Sequence, residues 1–170
     1  EAAGRGGSAY MHDQLRVGQV IQSSVPHNDF PLNESAEHTV LVAGGIGITP
    51  ILSMMQRLDA LGKSWRLHYA SRSPEVTAFR DELARLDRGR GWVVHWFGND
   101  TTQRLDIPAL VGEADRFTHL YCCGPARMID AFVEAGAGRP PGTVHYERFA
   151  AADAPATEGG YAVVLQRSGK

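Results

Sequence analysis

Cysteine is scarce in this chain. There are two in 170 residues, and they are adjacent, Cys122 and Cys123. Neighbours in a strand point to opposite faces, so the two are a poor disulfide pair and a poor metal pair. A reducing cytoplasm is the simplest setting for such cysteine usage. Long apolar runs are missing too. The longest, Thr39 to Leu52, is broken by Gly44, Gly45, Gly47 and Pro50 and is too short to span a bilayer. Basic residues form no cluster: the net charge is -2, and the densest stretch, Arg85 to Arg90, contains Asp87. Nucleic acid is therefore not an expected partner. Seven histidines (His12, His27, His38, His68, His95, His119 and His145) show no paired ligand spacing, so no metal site is expected. The absence of a Gly-x-Ser-x-Gly elbow removes support for a hydrolase. Gly62-Lys63-Ser64 imitates the end of a P-loop, but Arg57 stands where the partner glycine belongs and the segment follows a helix. It reads as a helix stop.

What the chain does have is alternation. His38 to Ala43 reads as a short apolar strand, and Thr49 to Leu61 as a helix stopped by Gly62. Trp65 to Ser71 is a second strand. Ser73-Pro74 starts a helix carrying Phe79, Leu83 and Leu86 on one face. Strand Trp92 to Phe97, a short helix Ile107 to Val111, strand Thr118 to Cys123, helix Pro125 to Gly136 and strand Thr143 to Phe149 complete the series. Apolar strands alternating with helices imply an α/β fold, a doubly wound, parallel, five-stranded sheet covered on both faces. Ligands in such sheets sit at the carboxyl ends of the strands, where strand order reverses.

Both ends look truncated. The chain opens Glu1-Ala2-Ala3-Gly4 without Met, so its true start is expected upstream. Residues 1–36 read as loop, a helix capped by Ser8 and running through Met11 and Leu15 to near Gly18, a strand from Val17 to Val25, and a polar loop. This is too little for a core and looks like the tail of a preceding domain. Residues 37–150 form the alternating unit. Residues 151–160 have linker composition, and Tyr161 to Leu165 begins a strand of a further domain, placed at 161–170.

The first strand ends in Gly44-Gly45-Ile46-Gly47-Ile48-Thr49-Pro50. Glycines let a backbone turn tightly and approach a diphosphate, Thr49 can cap the next helix, Pro50 fits its first turn, and the free amides face an anion. A plain tight turn is the alternative. Pro50 takes the place of the third glycine of the common dinucleotide fingerprint, and the acid expected about twenty residues on is missing. The second strand ends Ser71-Arg72-Ser73. Those residues suit adenosine ribose or phosphate contacts, or equally a helix cap beside a solvated arginine. Cys123, at the end of the fourth strand beside Gly124, can line a flat ring pocket; Cys122 reads as a plain buried residue.

Gly44 to Pro50, then Tyr69-Ala70-Ser71-Arg72-Ser73, then Cys122-Cys123-Gly124-Pro125, each at a strand end, resemble the ferredoxin–NADP reductase superfamily. Upstream, Gly4-Arg5-Gly6-Gly7-Ser8 followed by Met11-His12-Asp13 resembles the flavin-phosphate motif of its phthalate dioxygenase reductase branch, which includes vanillate demethylase reductases. Downstream, His145 to Phe149, the linker and Tyr161 to Gly169 resemble that branch's exit into a plant-type ferredoxin domain.

The resemblance implies a nicotinamide domain between a β-barrel FMN domain, of which a remnant would remain here, and a 2Fe-2S domain. Hydride would pass from NADH, with NADPH left open by Arg72, to the flavin. Electrons would then leave through the iron–sulfur centre to a Rieske-type aromatic-ring oxygenase or demethylase. Arg5, Gly6, Gly7 and Ser8 match the FMN-phosphate loop, for which a simple helix cap is the alternative. Gly44, Gly45, Gly47, Ile48, Thr49 and Pro50 match the dinucleotide loop, and Ser71 and Arg72 the adenosine end. Cys123, Gly124, Pro125 and Met128 match the motif that places the nicotinamide. Phe149 matches a flavin-side aromatic, or else is a core residue at a strand end. The cofactors carry the chemistry, so no catalytic acid or base is expected. Two features depart from the pattern: the Arg-x-Tyr-Ser/Thr flavin-ring motif does not occur, and two adjacent cysteines cannot hold a 2Fe-2S cluster. An FAD-type reductase without a ferredoxin domain and a nucleotide-binding module without redox turnover are the rival readings.

Overall fold

The computed structural model describes residues 7–99 and 104–149. Nine regular elements build the body of the molecule: β1 (His38–Gly44), α1 (Ile48–Ala60), β2 (Ser64–Ser71), α2 (Arg80–Asp87), β3 (Val93–Phe97), α3 (Ile107–Glu113), β4 (His119–Cys123), α4 (Ala126–Gly136) and β5 (Val144–Glu147). All four strand pairings are parallel, in the order β3-β2-β1-β4-β5. Chain order therefore runs outward from β1 to β3, then jumps back to place β4 on the other side of β1. The reversal lies between the carboxyl ends of β1 and β4, which is where this class of sheet binds ligands.

The alternation of strand side chains explains the layers. On one face Leu41 of β1, Leu67 of β2 and Tyr121 of β4 meet Ile51, Met55 and Leu58 of α1 and Leu83 of α2. On the other, Val40, Val42, Leu120 and Cys122 meet Ile129 and Phe132 of α4 and Ile107 and Val111 of α3. β1 and β4 are buried on both faces, which is why they read as continuous apolar runs. α1 stops at the expected place. Gly62 takes φ +65° and donates to the Asp59 carbonyl at 3.0 Å, while Lys63 donates to that of Leu58 at 2.9 Å. Together these bonds satisfy the last open carbonyls of the helix. Asp106 caps α3 by accepting from the Ala109 amide at 3.0 Å.

Three expectations need correction. First, Val17 to Val25 forms no strand; among the described residues no strand precedes β1. Val17, Val20 and Val25 stand almost wholly exposed, and a strand without a neighbouring ladder leaves its amides to water. Second, the helix expected from Ser73-Pro74 is split. Pro74–Val76 is a single 3-10 turn, and α2 begins only after Phe79, whose φ is 61°. Thr77 interrupts the helix by turning its hydroxyl back to the Ser73 carbonyl at 2.8 Å and extending its own backbone. Leu83 is buried and Leu86 packs beside it, but Phe79 is exposed. Third, the upstream helix is one α-turn at Gly7–Ala9 running into a π-helix at Tyr10–Gln14, and it ends at Leu15 rather than near Gly18.

Residues 28–36 strap onto the body. Phe30 is buried with its ring 5.6 Å from that of Tyr121, and the Asn33 amide donates to the Tyr121 hydroxyl at 2.7 Å. Arg57 of α1 holds Glu34 with two bonds of 2.7 and 2.8 Å. Among the described residues, no helix is long and apolar enough to cross a membrane.

Candidate functional site

The loop after β1 and the loop after β4 interlock through backbone. A Cβ added at Gly44 would come within 2.6 Å of Pro125 Cδ and 2.8 Å of Met128 Sδ. One added at Gly47 would overlap the Cys123 carbonyl, and one at Gly124 would sit 2.8 Å from Met128 Sδ. These three glycines exist because two loops pass each other with no room for a side chain. Gly45 differs. Nothing lies within 4 Å of a Cβ built there, and its φ is +54°, so its backbone is turned outward into open space. The Tyr69 hydroxyl donates to the Gly45 carbonyl at 3.1 Å and holds that turn.

Thr49 and Pro50 fall in the first turn of α1, but Thr49 does not cap it. The cap position belongs to Gly47, and the Thr49 hydroxyl donates back to the Ile46 carbonyl at 3.0 Å. Ile48 is fully buried beneath the loop. No side chain caps α1; Gly45–Gly47 form a 3-10 turn whose Gly45 and Ile46 carbonyls accept from the Ile48 amide.

A cleft of about 280 Å³ lies between the two loops. Gly44 to Gly47 form one wall, Gly124, Pro125, Ala126 and Ile129 the other, and Arg148 and Phe149 close the end. Phe149, just past β5 and exposed, therefore faces the same cleft as the glycine loop. Larger depressions lie under the 28–36 strap (about 500 Å³) and over β2 and β3 near α3 (about 760 Å³). The first shares only Pro50 with the loops at the strand reversal, and the second shares none of their residues.

Cys122 and Cys123 point to opposite faces, as expected, and each is at most 1% exposed. Burial pushes the Cys123 thiol up to about 11, with Glu147 adding to the effect, and the Cys122 thiol up to about 12. Neither is a thiolate at neutral pH, so neither is a nucleophile. Cys123 supplies the backbone against which Gly47 packs, and its side chain lies in the core with α1. Two buried thiols on opposite faces cannot ligate an iron–sulfur cluster.

Ser71 and Arg72 come to the carboxyl end of β2, beside Gly98 and Asn99, whose amides donate to their carbonyls at 2.8 and 3.2 Å. The Ser71 hydroxyl lies 2.6 Å from that of Thr77. Ser71 donating to Thr77, and Thr77 on to Ser73, satisfies both and leaves Ser71 a lone pair for a ligand hydroxyl. Arg72 is exposed, and among the described residues its guanidinium has no bonded partner. Gly7 is exposed at the start of its turn; Arg5, Gly6 and the Ser8 side chain lie outside the described residues, as do the linker and residues 161–170.

Residues 41–134 match the model of the oxidoreductase NAD-binding domain. The chain belongs to that family. The match runs from the glycine loop through the Cys123-Gly124-Pro125 turn, the two segments that interlock at the strand reversal. Among curated proteins the chain is 50% identical to the phenoxybenzoate dioxygenase subunit beta of Ectopseudomonas oleovorans, over 100% of this chain and 52% of that protein. It is 40% identical to the phthalate dioxygenase reductase of Burkholderia cepacia, over 99% and 53%. Among solved structures it superposes on a phthalate dioxygenase reductase, described as modular for electron transfer from pyridine nucleotides to [2Fe-2S], with a TM-score of 0.79 and 41% identity, over 100% of this chain and 54% of that one. The branch resemblance and the ferredoxin reductase-like fold are thus borne out. The chain spans about half the length of the curated relatives it matches.

Sequence reasoning missed Arg148, Ala126, Ile129 and Ile46 as cleft residues. Arg148 is the instructive one. It lies just past the end of β5, and only the placement of α4 and the glycine loop around it reveals that it reaches the cleft.

Proposed function

We propose that this chain is the pyridine-nucleotide unit of an electron-transfer reductase that takes hydride from NADH to FMN and passes electrons through a 2Fe-2S centre to a terminal oxygenase or demethylase. The observation that carries the reading is the pair of interlocked glycine loops at the strand reversal, with a cleft between them and Phe149 at its end.

The bound nicotinamide and flavin supply the redox chemistry; this chain's residues bind, orient and exclude water. Gly45 and the amide end of α1 receive the diphosphate. Gly44, Gly47 and Gly124 hold the two loops close enough that the exposed Pro125 and Ala126, backed by the buried Ile129, present an apolar wall to the nicotinamide, with Met128 wedged behind the glycines. Cys123 sets the position of that wall through its backbone. Ser71 and Arg72 take the adenosine ribose, with NADPH left open by Arg72. Phe149 faces the flavin side. Arg5, Gly6, Gly7 and Ser8 hold the FMN phosphate in a flavin unit that ends near residue 36. The nucleotide unit spans 37–150, the linker 151–160, and a ferredoxin unit starts at 161. This chain's own cysteines do not fit a 2Fe-2S centre, so the cluster belongs to that following unit. The cytoplasm is the proposed compartment, in keeping with two protonated, unpaired thiols.

The test is the visible spectrum of the full-length parent protein under anaerobic conditions, before and after NADH or NADPH. Flavin and iron–sulfur bands that bleach faster with NADH support the proposal. A flavin that bleaches with no iron–sulfur signal favours an FAD-type reductase, and a colourless protein indifferent to both nucleotides refutes the redox reading.

A further inference from the structure

The cleft between the two loops holds one charged residue. Its other lining positions are glycine, alanine, proline, isoleucine and phenylalanine; only Arg148 carries charge. Its side chain is 25% exposed, so the guanidinium is mostly removed from water. One of its nitrogens, Nη2, donates to Asp130 Oδ1 of α4 at 2.6 Å. Among the described residues that is its only hydrogen bond, and it uses one of the five N–H donors of the group. Asp130 is 64% exposed, so the pair is anchored from the solvent side; Arg148 Cζ lies 5.7 Å from the Tyr146 ring centroid, and the residue lines the cleft.

A diphosphate entering this cleft leaves bulk water for surroundings of glycine backbone and apolar side chains. Uncompensated, that transfer is costly. Backbone amides supply partial charges only, Thr49 has turned its hydroxyl to Ile46, and Arg72 stands at the end of β2, outside the cleft lining. A planar fork with open donors, pre-positioned by an acid at its far side, matches two oxygens of a diphosphate.

We propose that Arg148, held by Asp130, is the cationic contact of the cleft for the diphosphate of the pyridine nucleotide. The assignment rests on the nucleotide reading above and adds to it a specific residue. It predicts that affinity depends on the charge at position 148 and on salt, through the diphosphate and not through the adenosine.

Calorimetric titration of the full chain with NADH at two salt concentrations tests this, with adenosine, which lacks the diphosphate, followed by saturation-transfer NMR. Arg148→Gln is expected to weaken NADH about tenfold or more and to flatten the salt dependence, while leaving adenosine contacts and melting temperature near those of the parent. Arg148→Lys is expected to recover most of the NADH affinity. Arg148→Gln binding NADH as tightly as the unaltered chain overturns the assignment alone. So does an equal loss of NADH and adenosine binding, which would mark a packing role. An unaltered chain that binds neither ligand overturns the nucleotide reading and this assignment with it.

Discussion

The mouth of the sheet and the stretch before it are built from similar small and apolar residues, yet they behave in opposite ways. At the mouth, Gly44, Gly47 and Gly124 are pressed against Met128, Pro125 and the Cys123 carbonyl with no space for a methyl group. Upstream, Val17, Val20 and Val25 are 108%, 94% and 88% exposed and touch no core. The difference is in the partners, not the residues. Glycines at the mouth are held by two strands that a seven-residue ladder and a five-residue ladder lock on either side of β1. The valines have a strand-like composition and no ladder to join. Apolar character creates a demand for burial, and only topology decides whether this chain meets it.

The sharpest way to break the mouth is Gly47→Ala. The added Cβ would overlap the Cys123 carbonyl, a backbone atom that cannot rotate away. Separating β1 from β4 to make room disrupts the most buried pair of strands in the sheet. A loss of about 3 kcal/mol in unfolding free energy is expected, read by denaturant titration, together with loss of NADH binding. A variant with unchanged stability would show that the loops are not locked together as described.

Gly45→Ala separates fit from function within the same loop. No atom lies near the new methyl, so the strain is only that of φ +54°, on the order of 1 kcal/mol. Binding should suffer far more than stability, because the methyl stands on the surface that faces the diphosphate. A stability change of that size with tenfold or weaker NADH affinity is the expected pattern. Intact affinity would move the diphosphate away from Gly45.

Much of this was legible in the residues. The continuous apolar strands, the Gly62 stop and the placement of motifs at strand ends follow from local patterns, and all five strands lie within a residue or two of where periodicity places them, β5 stopping at Glu147 rather than Phe149. What local pattern could not reach was competition. Thr77 prefers the Ser73 carbonyl over helix continuation, so the second helix starts late. Thr49, a natural cap by type, bonds backwards instead. The glycines were legible as a phosphate loop, but two of its three, Gly44 and Gly47, are explained first by contact with a segment some eighty residues away. Arg148 was invisible as a site residue for the same reason: its neighbour Asp130 lies on another element.

Sheet burial also gives the body a pH dependence. His68 on β2 stacks on Trp96 and accepts its indole N–H at 3.3 Å, and burial, helped by Arg66, lowers its pKa from 6.5 to about 4. Burial likewise lowers His38, His95, His119 and His145. A folded-state pKa below the unfolded one means that the unfolded chain binds more protons in between. Stability is then fully present above pH 6.5 and declines as pH falls toward 4. His68→Gln should remove on the order of 1 kcal/mol of the decline seen by pH 5, measured as the difference between chemical denaturation curves at pH 7 and pH 5. An unchanged acid limb would assign the decline to the other four imidazoles.

The smallest expected effect comes from the other side of the comparison. Val20→Ser combined with Val25→Ser replaces two side chains that are 94% and 88% exposed and belong to neither hydrophobic cluster. Among the described residues neither makes a ladder bond, so unfolding free energy should change by less than about 0.5 kcal/mol and NADH affinity not at all. The same pair of changes in the full-length parent is the informative contrast. If a preceding flavin unit supplies the ladder that this stretch lacks, the two serines there replace buried valines, and the cost rises to about 2 kcal/mol or more. Equal, negligible effects in both proteins would mean that the valines stay exposed in the parent as well. The strand-like composition of residues 17–25 would then have no structural counterpart in either protein.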